Sequence, residues 1–165
     1  MKKIITLLSI GLCILSFAQS IEYGKFSVKL INTTSSNLSK EVNGIKVSYT
    51  PTDYTWSVKI ENTSGSTIEV DWDKSTFVID KRASGIVFND SSKLTAGLPK
   101  GKEVIPNGTI LYKKIYPRRN VEFMSPTLTK YEIKKYGKSE IDINLVFVKD
   151  GNESEINANF EATLK

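Results

Sequence analysis

IDINLVFVKDGNESEINANFEATL, residues 141–164, decides the fold. Ile141, Ile143, Leu145 and Phe147 alternate with other residues along the first half. Ile156, Ala158, Phe160, Ala162 and Leu164 do the same along the second. A period of two puts one face of a strand on a core and the other in water. Between the halves stands Lys149-Asp150-Gly151-Asn152, and Asp-Gly favours the positive φ angles of a tight hairpin turn. The stretch therefore predicts two long antiparallel strands.

The same rhythm runs upstream. Phe26, Val28 and Leu30 form one alternating set, and Ile45, Val47 and Tyr49 the next. Tyr54, Trp56, Val58 and Ile60 follow, then Ile68, Val70 and Trp72. Residues 76–80 and 85–89 read as two shorter strands around a turn at 81–84. Residues 108–116 read as another strand and residues 120–124 as a short one. Asn62 to Ser66 and Pro106-Asn107-Gly108 carry turn chemistry. Residues 94–102 read as an exposed excursion. Residues 127–136, ending at Gly137, have room for one short helix. Nine or ten short strands predict an all-β, antiparallel two-sheet Ig-like β-sandwich, with a closed barrel as the alternative.

The N-terminus has a different texture. Met1-Lys2-Lys3 is basic, Ile4 to Phe17 is almost wholly apolar, and Ser16-Phe17-Ala18 offers small residues at the positions read by a signal peptidase. The apolar run is too short to span a bilayer comfortably. The expected organisation is a signal peptide over residues 1–18 and one β-sandwich domain over residues 19–165, which places the protein in the periplasm, at the cell surface or outside the cell. Cys13 is the only cysteine. Leu12 precedes it where a lipidation signal would carry a small residue, so lipid anchoring at Cys13 is not expected.

The 165-residue chain has a formal charge of +5 and no histidine. Loss of Lys2 and Lys3 with the leader leaves +3. Without histidine and without a mature cysteine, imidazole bases, thiol nucleophiles and zinc–thiolate sites are excluded. No phosphate-binding or dinucleotide-binding glycine motif occurs. No cofactor and no metal are expected, and the chain reads as a non-enzyme. Asp71 and Asp73, flanking Trp72, are the alternative. They would share one strand face, and paired carboxylates beside an aromatic ring fit a carbohydrate-active hydrolase. Trp56 and Trp72 lie in phase with aliphatic neighbours and read as core.

The basic segment is the main binding candidate. Lys113, Lys114, Arg118, Arg119, Lys130, Lys134, Lys135 and Lys138 face only Glu122 and Glu132, so residues 113–138 carry +6. The rest of the mature chain then carries −3. Arg118 and Arg119 follow Tyr116-Pro117, where proline should end a strand and place the pair in a loop. Guanidinium forks suit phosphate, sulfate and carboxylate. Arg118 and Arg119, supported by Lys113, Lys114, Lys134 and Lys135, are therefore the candidate anion-binding residues. Possible partners are an anionic glycan, a lipid headgroup or an envelope protein. Export argues against nucleic acid. Six N-x-S/T sequons, at Asn32, Asn37, Asn62, Asn89, Asn107 and Asn152, read as turns rich in asparagine and serine.

The stretch Ile68-Glu69-Val70-Asp71-Trp72-Asp73-Lys74-Ser75, then Phe77-Val78-Ile79-Asp80 and Ile86-Val87-Phe88, resembles small exported bacterial proteins with an Ig-like β-sandwich, several of them lipoproteins. Val104-Ile105-Pro106-Asn107-Gly108 leading to Ile115-Tyr116-Pro117 adds to it. The Phe17-Ala18-Gln19 junction is similar to signal cleavage sites of Bacteroidetes proteins. The resemblance implies a sandwich fold and export. It carries no catalytic signature. The expected role is a non-catalytic binding or structural module of the bacterial envelope or secretome. A polyanion-binding surface protein is a further alternative.

Overall fold

A computed structural model describes residues 20–31, 37–123 and 125–165. The leader, Gln19, Cys13 and the sequon at Asn32 lie outside the described residues. Strand accounts for 58 % of the chain and helix for 7 %, which makes the protein all-β as its alternation predicts.

In chain order the strands are β1 (Ile21–Tyr23), β2 (Phe26–Leu30), β3 (Ser39–Val42), β4 (Ile45–Pro51), β5 (Trp56–Asn62), β6 (Ile68–Ile79), β7 (Arg82–Phe88), β8 (Lys102–Ile105), β9 (Ile110–Pro117), β10 (Ser139–Lys149) and β11 (Asn152–Leu164). A 3-10 turn (Arg118–Asn120) and one helix, α1 (Lys130–Tyr136), lie between β9 and β10. The strands form one antiparallel sheet in the order β1-β2-β11-β10-β6-β7-β9-β5-β4-β3, with β8 branching off β6. The sheet curls into a half-barrel. The Lys40 Nζ of β3 donates to the Asn157 carbonyl of β11 at 2.6 Å, so the far end of the sheet comes back towards its other half.

The β10–β11 hairpin is the backbone of this arrangement. Ser139 pairs with Ala162, and the ladder runs without a break to Lys149 opposite Asn152. Asp150 and Gly151 make the turn at φ 50° and 78°, the twist that hairpins favour. The apolar positions of both strands point to the core. Phe160 meets Tyr49 of β4 and Trp56 of β5 at 5.1 and 4.7 Å between ring centroids. Trp56 also meets Phe77 of β6 edge-on at 6.1 Å. Both tryptophans are buried. The Trp56 indole N–H reaches the Thr127 hydroxyl at 3.2 Å, tying the segment before α1 to the end of the core. Thr129 caps α1, and Gly137 ends it at φ 81°, a conformation glycine adopts without strain.

β6 differs from expectation. Residues 68–72 and 76–80 read as separate strands, but they are one strand interrupted by a bulge. Asn144 of β10 faces Thr76, whereas Val146 faces Asp71. Residues 72–75 thus stand opposite Leu145 alone. The extra residues shift the inward phase, from Ile68, Val70 and Trp72 to Phe77 and Ile79. Ser75 plugs the gap, its buried hydroxyl donating to the Asp71 carbonyl at 2.6 Å and accepting from the Val146 N–H at 3.1 Å.

Three further expectations need correction. The turn after β6 is Asp80-Lys81, with Ile79 directly paired to Arg82, instead of a loop over 81–84. Tyr54 belongs to the turn before β5 and is exposed. The strand expected at 120–124 is absent: residues 118–120 form the 3-10 turn, and Val121 packs with Val87, Ala96 and Tyr116 in a small cluster of its own. Met124 lies outside the described residues.

Candidate functional site

β7 decides where the surface cavities lie. Its first half pairs with β6 over Arg82–Gly85, and its second half pairs with β9 over Ile86–Phe88. The strand passes from one half of the sheet to the other. The 3-10 turn after Pro117 sits beside this crossing, because Pro117 pairs with Ile86.

Arg118 and Arg119 leave that turn towards different cavities. Arg118 is exposed and lines a groove of about 370 Å³ walled by Trp72, Asp73, Ile86, Ala96, Leu98 and Lys100. Among the described residues its guanidinium has no hydrogen-bond or ion-pair partner. Arg119 turns the other way, donating to the Arg82 carbonyl at 2.7 Å and to the Ile79 carbonyl at 3.3 Å. Its own N–H donates to the Ser84 hydroxyl. Partial burial, and then the like charge of Arg82, lower its pKa below the ordinary guanidinium value. Arg119 is therefore a structural clamp across the β6–β7 turn. It does not share one anion with Arg118.

The four lysines are dispersed as well. Lys113 forms an ion pair with Glu103 at 3.0 Å and lies 4.9 Å above the Phe88 ring. Lys114 is exposed on β9 opposite Ser57. Lys134 and Lys135 are exposed in the last turn of α1, with Lys135 over the Tyr136 ring. Adjacent letters in a sequence share a surface only when the backbone between them keeps one direction, and here a strand gives way to a turn and then a helix.

Asp71 and Asp73 serve the bulge. Asp71 is buried, and its carboxylate accepts the Lys74 N–H at 3.2 Å. Asp73 is exposed, and its two oxygens accept the Lys100 N–H at 2.7 Å and the Gly101 N–H at 2.9 Å. The Trp72 N–H donates to the Gly101 carbonyl. These bonds fasten the excursion before β8 to the bulge, and that excursion is the outer wall of the Arg118 groove. The expectation of a shared outward face fails because the bulge turns one carboxylate inward and leaves the other outside.

A second cleft was not foreseen. It lies between the β6–β7 turn and α1 and comprises adjoining cavities of about 540 and 350 Å³ that share Asp80, Arg82 and Glu132. The Asp80 carboxylate accepts the Ser139 hydroxyl at 3.1 Å and the Glu140 N–H at 2.9 Å. Glu140 pairs with Lys138 at 2.8 Å. The signal in the sequence was the charged triplet Asp80-Lys81-Arg82 at a strand end, which a broader loop assignment obscured.

Comparison with known protein families, curated proteins and solved structures finds no match for this chain.

Proposed function

We propose that this protein is an exported, non-catalytic binding module of the bacterial envelope or secretome, with the Arg118 groove as its recognition surface. One observation carries the reading. Arg118 brings a guanidinium with no partner among the described residues to a groove whose walls combine Trp72, Ile86, Ala96 and Leu98 with Asp73 and Lys100. A free guanidinium beside a part-apolar wall suits a compact ligand with an anionic head and an apolar body.

Export belongs to the proposal through the basic, apolar and small-residue succession of residues 1–18. The Ig-like two-sheet sandwich, and kinship with small exported bacterial proteins of that fold, belong to it as well. The ring contacts of Trp56 and Phe160 across the core support two packed layers. The hydrolase alternative draws less support, because the carboxylates of Asp71 and Asp73 are engaged by main-chain N–H groups. The extended polyanion surface draws less support too, since the six candidate cations do not line one groove.

The test titrates the purified protein with octanoate, with octanamide and with heparin at low ionic strength, reading tryptophan fluorescence. Octanoate should bind and octanamide should not. Arg118→Ala should abolish the difference, whereas Arg119→Ala should lower stability and leave the affinity in place. Equal binding of acid and amide, or octanoate binding unchanged by Arg118→Ala, rejects the groove. Heparin binding that needs the lysines and not Arg118 would favour the polyanion reading. Mass spectrometry of the protein from its host should find a chain beginning at Gln19, and an intact chain beginning at Met1 would count against export.

A further inference from the structure

We propose that the cleft between the β6–β7 turn and α1 is a second binding site, and that it takes a zwitterionic ligand of the amino-acid or short-peptide class. The sharing of charges leads there. Lys81, Arg82, Arg119 and Lys138 stand around the cleft with Asp80, Glu132 and Glu140. Several of these are committed within the chain. Asp80 is held by Ser139 and the Glu140 N–H, Glu140 and Lys138 hold each other, and Arg119 binds main-chain carbonyls. Lys81, Arg82 and Glu132 are left. Among the described residues none of the three side chains forms a hydrogen bond or an ion pair. Arg82 and Glu132 border both adjoining cavities and are not paired with each other.

A simple anion entering this cleft meets repulsion from Glu132, and a simple cation meets it from Lys81 and Arg82. A molecule with both charges satisfies both walls. Its carboxylate would engage the Arg82 fork and its ammonium Glu132. The exposed Tyr136 and Tyr131 rings supply apolar surface at the two ends of the cleft. The joint space falls in the range of small-ligand sites.

The turn that presents Arg82 is strained and bonded on both sides. Asp80 and Lys81 both sit at positive φ, 48° and 65°, without a glycine. The other two-residue turns of this kind, Asn43-Gly44 and Asp150-Gly151, have glycine in the second position. The Asp80 N–H and carboxylate are bonded to Glu140, and Arg119 grips the carbonyls on both sides of the turn. Backbone strain of this kind persists where surrounding bonds over-determine it, and it concentrates at binding sites. Clamping removes motion of the Arg82 backbone before a ligand arrives.

The experiment uses the whole protein at low salt and four probes: alanyl-alanine, its N-acetyl form, its C-terminal amide and the neutral disaccharide maltose. Calorimetry or chemical-shift titration should give a dissociation constant on the order of 1 mM for the free dipeptide. Either cap should weaken binding about two- to fivefold, the range that one solvent-exposed charge contact is worth. Arg82→Gln should make acid and amide bind alike. Glu132→Gln should make the amine and its acetyl form bind alike. Arg82→Lys, which keeps the charge and loses the fork, should fall between. Melting curves establish that the variants are folded. No saturation by about 20 mM dipeptide, affinity indifferent to both caps, or maltose binding in its place overturns the proposal. The outcome is separable from the Arg118 groove, because the two cavities have no residue in common.

Discussion

Replacing Ser75 with alanine removes one oxygen atom from the middle of the β6 bulge. That oxygen donates to the Asp71 carbonyl at 2.6 Å and accepts the Val146 N–H at 3.1 Å. Ser75 is fully buried. Each bond contributes about 1 kcal/mol net, and each main-chain group left without a partner costs about 1–3 kcal/mol. The vacated volume is smaller than a water needs, so solvent cannot substitute. The expected loss is about 2–4 kcal/mol, a large share of the roughly 5–15 kcal/mol of an ordinary domain. With a urea slope of about 2 kcal/mol per molar, the midpoint should fall by roughly 1–2 M. Urea titration followed by far-UV circular dichroism reads this directly. Asp73→Ala is the internal control. It removes two bonds from the same bulge, but Asp73 is exposed and water can take over its donors. Its cost should stay near 1 kcal/mol. A midpoint shift for Ser75→Ala no larger than that for Asp73→Ala would show that Ser75 does not hold the bulge.

Two further outcomes follow from buried and titrating groups. The Tyr49 hydroxyl is buried with no hydrogen-bond partner among the described residues, and burial raises its pKa; Tyr49→Phe should be neutral or stabilising by up to about 1–2 kcal/mol in thermal melts, and a loss of that size would mean the hydroxyl has a partner. With no histidine, stability should be flat between about pH 6 and 8. It should then decline in acid, because Glu161, whose pKa is lowered chiefly by its hydrogen bond to Lys29, contributes above the unfolded carboxylate pKa of about 4.3 and loses that contribution as pH falls through its lower folded value; Lys29→Met should flatten part of that decline, and an identical acid limb would reject the assignment.

The strands legible in the sequence are those with one wet face and one dry face. β10 and β11 announce themselves through alternation and an Asp-Gly turn, and β2, β4 and β5 through alternation alone. β3 is Ser-Lys-Glu-Val at the edge of the sheet, with no fully buried residue, so it has no apolar rhythm to read. β8 buries only Ile105. β6 defeats a strict period of two because its bulge changes phase between Trp72 and Phe77, and a phase change looks like a loop. Val121 shows the converse error: an apolar residue between polar ones suggested a strand, yet it is buried from the residue after a 3-10 turn. Asp71 and Asp73 looked like a chemical pair because their other partners, the main-chain groups of residues 74, 100 and 101, leave no mark in composition or spacing.

The position of the two cavities follows from β7 changing partners. A strand that stayed beside β6 would carry Arg82 and Ile86 along one continuous face. Because pairing passes to β9 after Gly85, Arg82 stays with β6 while Ile86 meets Pro117. The 3-10 turn beginning at Arg118 is thereby set over the crossing. Its first arginine falls on the Ile86 side and its second on the Arg82 side. Arg119, reaching the carbonyls of Ile79 and Arg82, fastens the turn to the β6 half. That fastening also fixes the backbone from which Arg118 projects into the other groove. Adjacency of the two arginines is a mechanical link: Arg119 anchors the turn, and Arg118 has no partner among the described residues. Loss of the Arg119 side chain should accordingly lower stability, while the folded protein keeps its octanoate affinity because the residue-119 N–H still bonds the Ser84 hydroxyl.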